Sequence, residues 1–397
     1  METSLNEAKK EYRRLQREIH LAPLLCEKHL REEIEAFGVR FQDRKRYKAL
    51  KRKFWWHRKV HPKHIPIGSA PTEWAGQQTP LVSVIVPNYG HAAYLRERID
   101  CILNQTFQNF ELIILDDCSP DNSREVIMAY KDHPRVSHIV FNEENAGNTF
   151  LQWEKGVALA KGKYIWIAES DDYADESFLE STMAMFYLHE DCVMVRTGSY
   201  LVNEKDRVLL RDWDEWKEDE SIHYYRGEDY IRHNMLHFNF IYNASMVVFR
   251  KDVFQRIDKS YQRLRIAGDM QCWIEMLREG PICELRRKLN YFRQHQNKVG
   301  ASSNAANRGI IDQIKVLAYA IGNVRMSPFR RMMVRGEQYD FSIRWFRTER
   351  EPGVKEDCDR ALSDDLRATR WDYRWYKLVS LFDFLPFIPS KKNDKYN

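Results

Sequence analysis

Between residues 81 and 168, short apolar runs alternate with segments of helical pattern, and no other feature constrains the fold of this 397-residue chain as strongly. The apolar runs are LVSVIV (81–86), ELIIL (111–115), HIVF (138–141) and YIWIA (164–168), and the helical segments are 92–104, 123–133 and 148–162. Continuous apolar strands connected through helices predict a parallel sheet covered on both faces. Ligands bind such sheets at the carboxyl ends of the strands, so a site is expected in the residues that follow each run.

Polar or acidic residues follow all four runs. They are Pro87-Asn88-Tyr89-Gly90, Asp116-Asp117-Cys118-Ser119, Asn142 with Asn145-Ala146-Gly147-Asn148, and Glu169-Ser170-Asp171-Asp172. One such cluster alone would be an ordinary turn or helix cap. Four of them at the same sheet edge converge on one cleft, which favours a functional interpretation.

The acidic clusters are consistent with a site for a nucleotide diphosphate. Carboxylates repel a diphosphate unless a divalent cation lies between them. Glu169, Asp171 and Asp172 offer the hard oxygen ligands that Mg²⁺ and Mn²⁺ prefer. Asp116 and Asp117 can accept hydrogen bonds from a base N–H or a ribose hydroxyl.

Two stretches, VSVIVPNYGHAAYLRERIDCILNQTFQNFELIILDDCSPDNS and NAGNTFLQWEKGVALAKGKYIWIAESDD, resemble the N-terminal half of glycosyltransferase family 2. The resemblance covers about residues 81–300. It implies an α/β fold of the GT-A type, which is a Rossmann-like, nucleotide-binding mixed sheet flanked by helices. It also implies an inverting enzyme that moves a sugar from a nucleotide-diphosphate donor, expected to be a UDP-sugar, to a hydroxyl of a glycan or lipid-linked acceptor. The expected setting is bacterial cell-surface polysaccharide synthesis.

The resemblance also implies roles for individual residues on the donor side. The expected nucleotide-binding residues are Pro87, Tyr89, Asp116, Asp117, Asn145, Glu169 and Asp171. Among these, Pro87 and Tyr89 would line the nucleobase and Asp117 would bind it with support from Asp116. Glu169-Ser170-Asp171 occupies the place of the family's Asp-x-Asp motif, with glutamate in the first position. Asp171 is therefore the expected ligand of a divalent metal, Mn²⁺ or Mg²⁺.

Asp269 is the expected catalytic base. Gly268 precedes it, and Met270, Trp273 and Leu277 follow with helical spacing. On this pattern alone, Asp269 could simply cap a helix. The resemblance implies an acid at a helix start about a hundred residues after the metal motif, and this favours the catalytic role.

Two further pairs of residues complete the expected site. Asn243 and Ser245 precede the strand-like run MVVFR and are expected at the acceptor. Arg293 and His295 resemble the family's basic element that folds over the diphosphate, where they would neutralise the leaving group.

The flanking regions predict helical extensions around the catalytic domain. The expected division is a helical extension at 1–61, a linker rich in proline at 62–80, the GT-A domain at 81–305 and a helical region at 306–397. Eleven Lys or Arg and one acid lie between Arg40 and Lys63, and the tail at 372–392 mixes aromatic and basic residues. Both segments could contact an anionic membrane surface, or be a solvated helix and a docked helix instead.

The composition narrows the cellular setting. The seven cysteines include no CxxC pair, which predicts reduced thiols in a cytoplasmic protein. The N-terminus lacks an apolar signal core, and no apolar run of about 18 residues occurs. The expected location is the cytoplasm, with possible peripheral contact at the inner face of the membrane.

Two other functions compete with the glycosyltransferase interpretation. A sugar-nucleotide nucleotidyltransferase shares the sheet and acidic metal ligands, but it would carry a glycine-rich loop where this chain has Pro87-Asn88-Tyr89-Gly90. A non-catalytic scaffold binding membrane or nucleic acid would explain the basic run at 40–63, but it leaves the acidic strand ends unexplained. The sequence therefore favours a nucleotide-sugar donor over nucleic acid as the partner.

Overall fold

The computed structural model of the protein describes residues 79–209, 213–214, 221–237, 239–295, 303–346 and 353–381. The predicted helices of residues 1–61, the linker at 62–80 except its last two residues, and the tail beyond residue 381 lie outside this part of the chain.

The described strands form one mixed sheet. They are β1 (Val82–Asn88), β2 (Phe110–Asp116), β3 (Val136–Phe141), β4 (Tyr164–Ile167), β5 (Tyr173–Ala174), β6 (Met194–Asn203), β7 (Ile222–Tyr225), β8 (Val247–Arg250) and β9 (Ile282–Gln294). Their order is β3-β2-β1-β4-β8-β6-β9-β5, and β7 pairs with β9. The described helices are α1 (Ala92–Leu103), α2 (Ser123–Met128), α3 (Thr149–Leu159), α4 (Phe178–Leu188), α5 (Gly227–Tyr230), α6 (Lys251–Arg256), α7 (Gly268–Glu279), α8 (Ser303–Asn323), α9 (Pro328–Trp345), α10 (Val354–Arg360) and α11 (Arg370–Leu381).

The first four strands are parallel, as the alternation predicts. Every residue of β1, β2 and β4 is buried, because helices cover both faces of the sheet. β8 then pairs antiparallel with β4 and with β6, which makes the sheet mixed. β9 runs parallel to β6, so its carboxyl end returns to the edge where β1–β4 also end.

The predicted helices are present, with one clear difference in length. α2 ends at Met128, whereas the sequence pattern extends to residue 133. The backbone hydrogen bonds of Ala129, Tyr130 and Lys131 reach back three residues, which tightens the chain into a turn before Pro134. α7 begins at Gly268 and ends before Gly280, in agreement with the prediction.

Helices follow the sheet, as predicted for the region after residue 305. Ile314 and Leu317 of α8 join the core cluster that contains Trp273 of α7. α11 packs on α9, where a Cβ at Gly336 would lie 2.3 Å from the carbonyl oxygen of Asp372. No helix in the described part of the chain is both long and apolar enough to cross a bilayer.

Candidate active site

The carboxyl end of β1 turns sharply toward the cleft. Pro87 and Asn88 are buried, whereas the Tyr89 side chain is 49% exposed and can meet a ligand. Gly90 has a φ of 70°, a left-handed conformation that glycine adopts without strain. This turn places His91 at the start of α1, on the same edge as the other strand ends.

Asp116, at the end of β2, is a structural anchor of this edge. Its Oδ1 accepts a hydrogen bond from Asn88 Nδ2 at 2.7 Å and another from the Ser119 hydroxyl at 2.5 Å, and its Oδ2 accepts from the Ser119 N–H. Asp116 thus ties the end of β1 to the loop after β2.

Asp117 connects the loop after β2 to the loop after β3. Its Oδ1 accepts hydrogen bonds from Asn142 Nδ2 at 2.6 Å, Gln152 Nε2 at 2.9 Å and the Ala146 N–H at 3.0 Å. Asn145 is exposed beside this network, and its Oδ1 accepts from the Gly147 N–H. The Ala146 N–H also lies 3.2 Å from Oδ2, so three groups fix the carboxylate in position while Oδ2 keeps room to accept from a further donor.

Asp172 is buried behind the acidic loop and holds it in place. Its Oδ2 accepts hydrogen bonds from Asn243 Nδ2 at 2.7 Å and the Ser245 hydroxyl at 2.8 Å, and its Oδ1 accepts from the Arg293 N–H. Ser245 also accepts a bond from the Glu169 N–H. The sequence analysis placed Asn243 and Ser245 at the acceptor, whereas the structure buries both and commits them to this loop.

Asp171 faces two histidines from distant parts of the chain. His295 Nε2 lies 2.9 Å from Asp171 Oδ2, and His91 belongs to the loop after β1. One ligand atom from each of His91, Asp171 and His295 lies within 4.8 Å of the other two. Imidazole nitrogens and a carboxylate oxygen are common ligands of divalent metals, so these three residues fit such an ion.

Glu169 points away from this cluster. Its Oε1 accepts a hydrogen bond from the Trp153 indole N–H at 3.1 Å. Burial, together with the negative charges of Asp171 and Asp172, raises the pKa of Glu169 to about 8. Glu169 is therefore harder to ionise than an ordinary glutamate, which reduces the negative charge around an anionic donor.

Arg293 is buried and tightly bound, although the sequence analysis placed it over the diphosphate. Its guanidinium pairs with Glu97 and Asp206 and donates to the Asp171 carbonyl oxygen at 2.8 Å. It also packs over the Tyr94 ring, with the guanidinium carbon 4.6 Å from the ring centre. In the structure, Arg293 therefore fixes the backbone of Asp171 by a hydrogen bond.

Asp269 lies in the first turn of α7. Its Oδ1 accepts from the Met270 N–H at 2.7 Å, and its Oδ2 accepts from Asn239 Nδ2 at 3.4 Å. Burial raises the pKa of Asp269 to about 6 despite these hydrogen bonds. A carboxylate with such a pKa is ionised at neutral pH and is a stronger base than an ordinary aspartate.

Close packing brings the start of α7 to the donor edge. A Cβ at Gly268 would lie 2.4 Å from the Phe150 ring in the first turn of α3, so only glycine allows this approach. One turn further on, Trp273 stacks on Trp153 with ring centres 5.6 Å apart, and Trp153 is the residue that binds Glu169. Trp273 and Trp153 thus link α7 to the loop that carries Glu169 and Asp171.

Sequence reasoning missed three residues of this site. His91 follows β1 directly, so the rule used for the other strand ends could have included it. Trp153 and Asn239 gave no comparable signal, because an aromatic residue in a helix and a polar residue in a loop are common features without function. Their partners, Glu169 and Asp269, are far enough away in the sequence that only the fold brings them together.

Known proteins share both the sequence and the fold of this region. The sequence profile of Glycosyl transferase family 2 matches residues 83–258. A Bacillus subtilis protein named as a teichuronic acid biosynthesis glycosyltransferase, TuaG, is 27% identical over 201 residues, which are 51% of this chain and 73% of TuaG. Glycosyltransferase GlyG of Streptococcus pneumoniae is 38% identical over 129 residues, 32% of this chain and 41% of GlyG.

The solved structures agree at the level of the fold. S. aureus TarS, in a crystal structure of its residues 1–349 with UDP-GlcNAc, superimposes with a TM-score of 0.55 at 18% identity, covering 72% of this chain and 81% of that one. The expected mixed α/β fold is therefore confirmed, and the relatives are named as glycosyltransferases. Residues 83–258 are therefore a domain of glycosyltransferase family 2, and the chain is similar to glycosyltransferases with the GT-A fold.

Proposed function

We propose that this enzyme transfers a sugar from a nucleotide-diphosphate donor to an acceptor hydroxyl, with inversion at the anomeric carbon. The observation that carries the proposal is the packing of α7 against the donor edge. This packing brings the start of α7, which carries Asp269, against α3 next to the edge that holds Asp117 and Asp171. An inverting displacement needs one base and one donor site, and we assign these roles to Asp269 and to that edge.

The reaction is a single displacement. The Asp269 carboxylate takes the proton from the acceptor hydroxyl while the acceptor oxygen forms a bond to the anomeric carbon. The bond between that carbon and the diphosphate oxygen breaks on the opposite face, and the nucleoside diphosphate leaves with the electron pair. Asp117 and Tyr89 hold the nucleobase, and Asp171 faces the diphosphate. A well-placed base contributes about 10²–10⁴-fold in rate.

Asp171, with His295 beside it, would hold a divalent cation, Mn²⁺ or Mg²⁺. When bound, such an ion supplies positive charge to the departing diphosphate. Arg293 and Asp172 act on this site indirectly, because they fix the backbone and the loop that carry Asp171. Arg293 thus contributes to diphosphate binding by positioning Asp171. Asn243 and Ser245 contribute indirectly, because they position Asp172 in the same loop.

Cell-surface polysaccharide synthesis at the cytoplasmic face of the membrane is the setting we propose. The name of the relative TuaG, which refers to teichuronic acid biosynthesis, supports a glycan or lipid-linked acceptor. UDP-sugars are the proposed donors, and UDP-GlcNAc, the ligand in the TarS crystal, is a rational first one to test.

The decisive test is a donor screen on the full chain. Thermal shift across UDP-, GDP- and dTDP-sugars with Mn²⁺ should show stabilisation by one nucleotide class. Turnover with that donor should release the nucleoside diphosphate. Release of pyrophosphate from a nucleoside triphosphate would show a nucleotidyltransferase instead. A product with the same anomeric configuration as the donor, determined by NMR, would contradict the inverting mechanism.

A membrane contact is the second part of the proposal, and α11 supports it. Trp371, Trp375 and Leu378 are spaced four and three residues apart and lie on one face, with exposed fractions of 67%, 48% and 45%. Arg374, also exposed, lies over the Trp371 ring at 5.3 Å. An aromatic face with basic neighbours suits the boundary between anionic headgroups and acyl chains. The basic run at 40–63, which also predicted this contact, lies outside the described residues.

Vesicle sedimentation tests this contact. The full chain should bind vesicles containing anionic lipid at low salt, and the double change Trp371→Ala and Trp375→Ala should reduce the bound fraction. Tyr187→Ala, which removes an exposed aromatic side chain from α4, is the matched control and should have no effect. Equal binding by the double variant and the wild type would remove α11 from the proposal.

A further inference from the structure

Three residues, His91, Asp171 and His295, form the cluster around Asp171. The proposed donor site uses Asp171 and His295, so His91 is the additional residue. His91 lies at the start of α1 after β1, Asp171 follows β4, and His295 follows β9. Three separate parts of the chain therefore supply one ligand atom each, within 4.8 Å of one another. An accidental meeting of two imidazoles and a carboxylate is uncommon, because buried titratable groups lose hydration.

The surroundings of His91 favour a fixed orientation of its ring. His91 Nδ1 lies 2.8 Å from the Ser170 hydroxyl oxygen, and Ser170 is the neighbour of Asp171 in the chain. The His91 and His295 rings meet edge to face, with centres 5.4 Å apart and planes at 86°. Tyr94 packs against both rings. Contacts that orient the imidazole of a ligating histidine are a regular feature of metal sites.

We propose that His91 is a ligand of the divalent cation, together with Asp171 and His295, and that this set selects Mn²⁺ or another transition metal over Mg²⁺. The proposal rests on the donor site described above and deepens it. Mg²⁺ prefers oxygen ligands and retains several waters, whereas imidazole suits transition metals. Two nitrogen ligands out of three therefore weaken the binding of Mg²⁺ more than that of Mn²⁺, and the remaining positions stay available for oxygens of a diphosphate.

Pulsed EPR of bound Mn²⁺ tests the proposal directly, because coordinated imidazole nitrogen gives a measurable coupling to the metal. The full chain, loaded with Mn²⁺ and UDP, should show two coupled imidazoles. His91→Gln should show one, and so should His295→Gln. The dissociation constant of Mn²⁺ should rise at least about tenfold in His91→Gln, the scale of loss when a metal site is weakened. A wild-type spectrum with one imidazole, or an unchanged spectrum in His91→Gln, would overturn the proposal.

The metal preference gives a second, independent measurement. Calorimetry should show tighter binding of Mn²⁺ than of Mg²⁺ to the wild type, and His91→Asp should narrow the ratio because it replaces nitrogen by oxygen. A ratio unchanged in His91→Asp would contradict the proposal. His138→Gln, on β3, is the matched control and should leave both constants unchanged. Circular dichroism and the melting temperature of each variant identify any that fail to fold.

The failure of this proposal can be separated from failure of the transferase function. Transfer of sugar from a UDP-sugar by a chain whose bound Mn²⁺ couples to one imidazole only would overturn the ligand proposal and leave the transferase function intact. Two imidazoles on Mn²⁺ in a chain that turns over no nucleotide-sugar would support the ligand proposal and contradict the function. Restored turnover with Mn²⁺, but not with Mg²⁺, would support both.

Discussion

The two sides of the cleft hold their carboxylates in different ways. On the donor side, the carboxylates of Asp117 and Asp172 each accept hydrogen bonds from three separate groups. On the acceptor side, Asp269 has one side-chain partner, Asn239, at 3.4 Å. Hydrogen bonds thus fix the positions of the carboxylates on the donor side. For Asp269, burial is the main influence, and it raises the pKa of the carboxyl group. Fixed carboxylates suit the donor side, where a nucleotide has to be bound in one position. On the other side, the basicity of Asp269 matters more, because its proposed role is to accept a proton.

The largest effect should come from the donor side, at Asp171. Asp171→Asn should lower metal-dependent turnover at least about a thousandfold, because it removes the charged ligand that would hold the divalent cation beside the diphosphate. Initial rates with saturating donor and Mn²⁺ measure this. Glu176→Gln, an exposed acid five residues later, is the control. Turnover like the wild type would contradict the metal assignment.

On the acceptor side, Asp269→Asn should lower the turnover number at least about a hundredfold, because an amide cannot accept the hydroxyl proton. The dissociation constant of the donor should change little. The wild-type turnover number should fall as the pH drops below about 6, since the base must be ionised and its pKa is raised to about 6. Glu279→Gln, at the other end of α7, serves as the control. A variant that loses donor affinity but keeps its turnover would make Asp269 a donor contact.

A smaller effect is expected where the donor side recognises the nucleobase. Asp117→Ala should weaken UDP binding about tenfold and slow the bound complex less, because the hydrogen bond is distant from the anomeric carbon. Asn142 and Gln152 lose a partner in this variant, so its melting temperature should also fall. Calorimetry separates the two effects, with Asp132→Asn as an exposed control. An unchanged dissociation constant for UDP would remove Asp117 from base recognition.

The smallest effect should come from the single partner of the base. Asn239 stabilises the ionised form of Asp269, so Asn239→Ala should move the midpoint of the pH profile upward, by less than about one pH unit. Turnover above pH 8, where the base is ionised in both proteins, should stay within about threefold of the wild type. A midpoint that moves downward, or a large loss at every pH, would show that Asn239 has another role.

The sequence allowed the donor edge to be predicted because each of its residues follows a strand. A run such as YIWI and the acids after it are neighbours in the chain, so the pattern alone places Asp171 at the carboxyl edge. The position of Asn243 and Ser245 before a strand suggests the acceptor, but their partner Asp172 lies more than 70 residues away, so the sequence does not reveal that contact. The resemblance puts Arg293 over the diphosphate, and its pairing with Glu97, 196 residues distant, is equally hidden from the sequence. Local patterns carry no information on such pairings.

The course of β9 has a consequence for synthesis of the protein. Strands β1–β4 and their loops leave the ribosome before β9 and contain the residues proposed to bind the nucleotide, whereas His295 and Arg293 reach the same edge only after β9 has been made. A nascent chain should therefore acquire nucleotide affinity early and catalytic competence late. Ribosome-bound chains stalled with residue 180 or with residue 310 outside the exit tunnel should differ in this way.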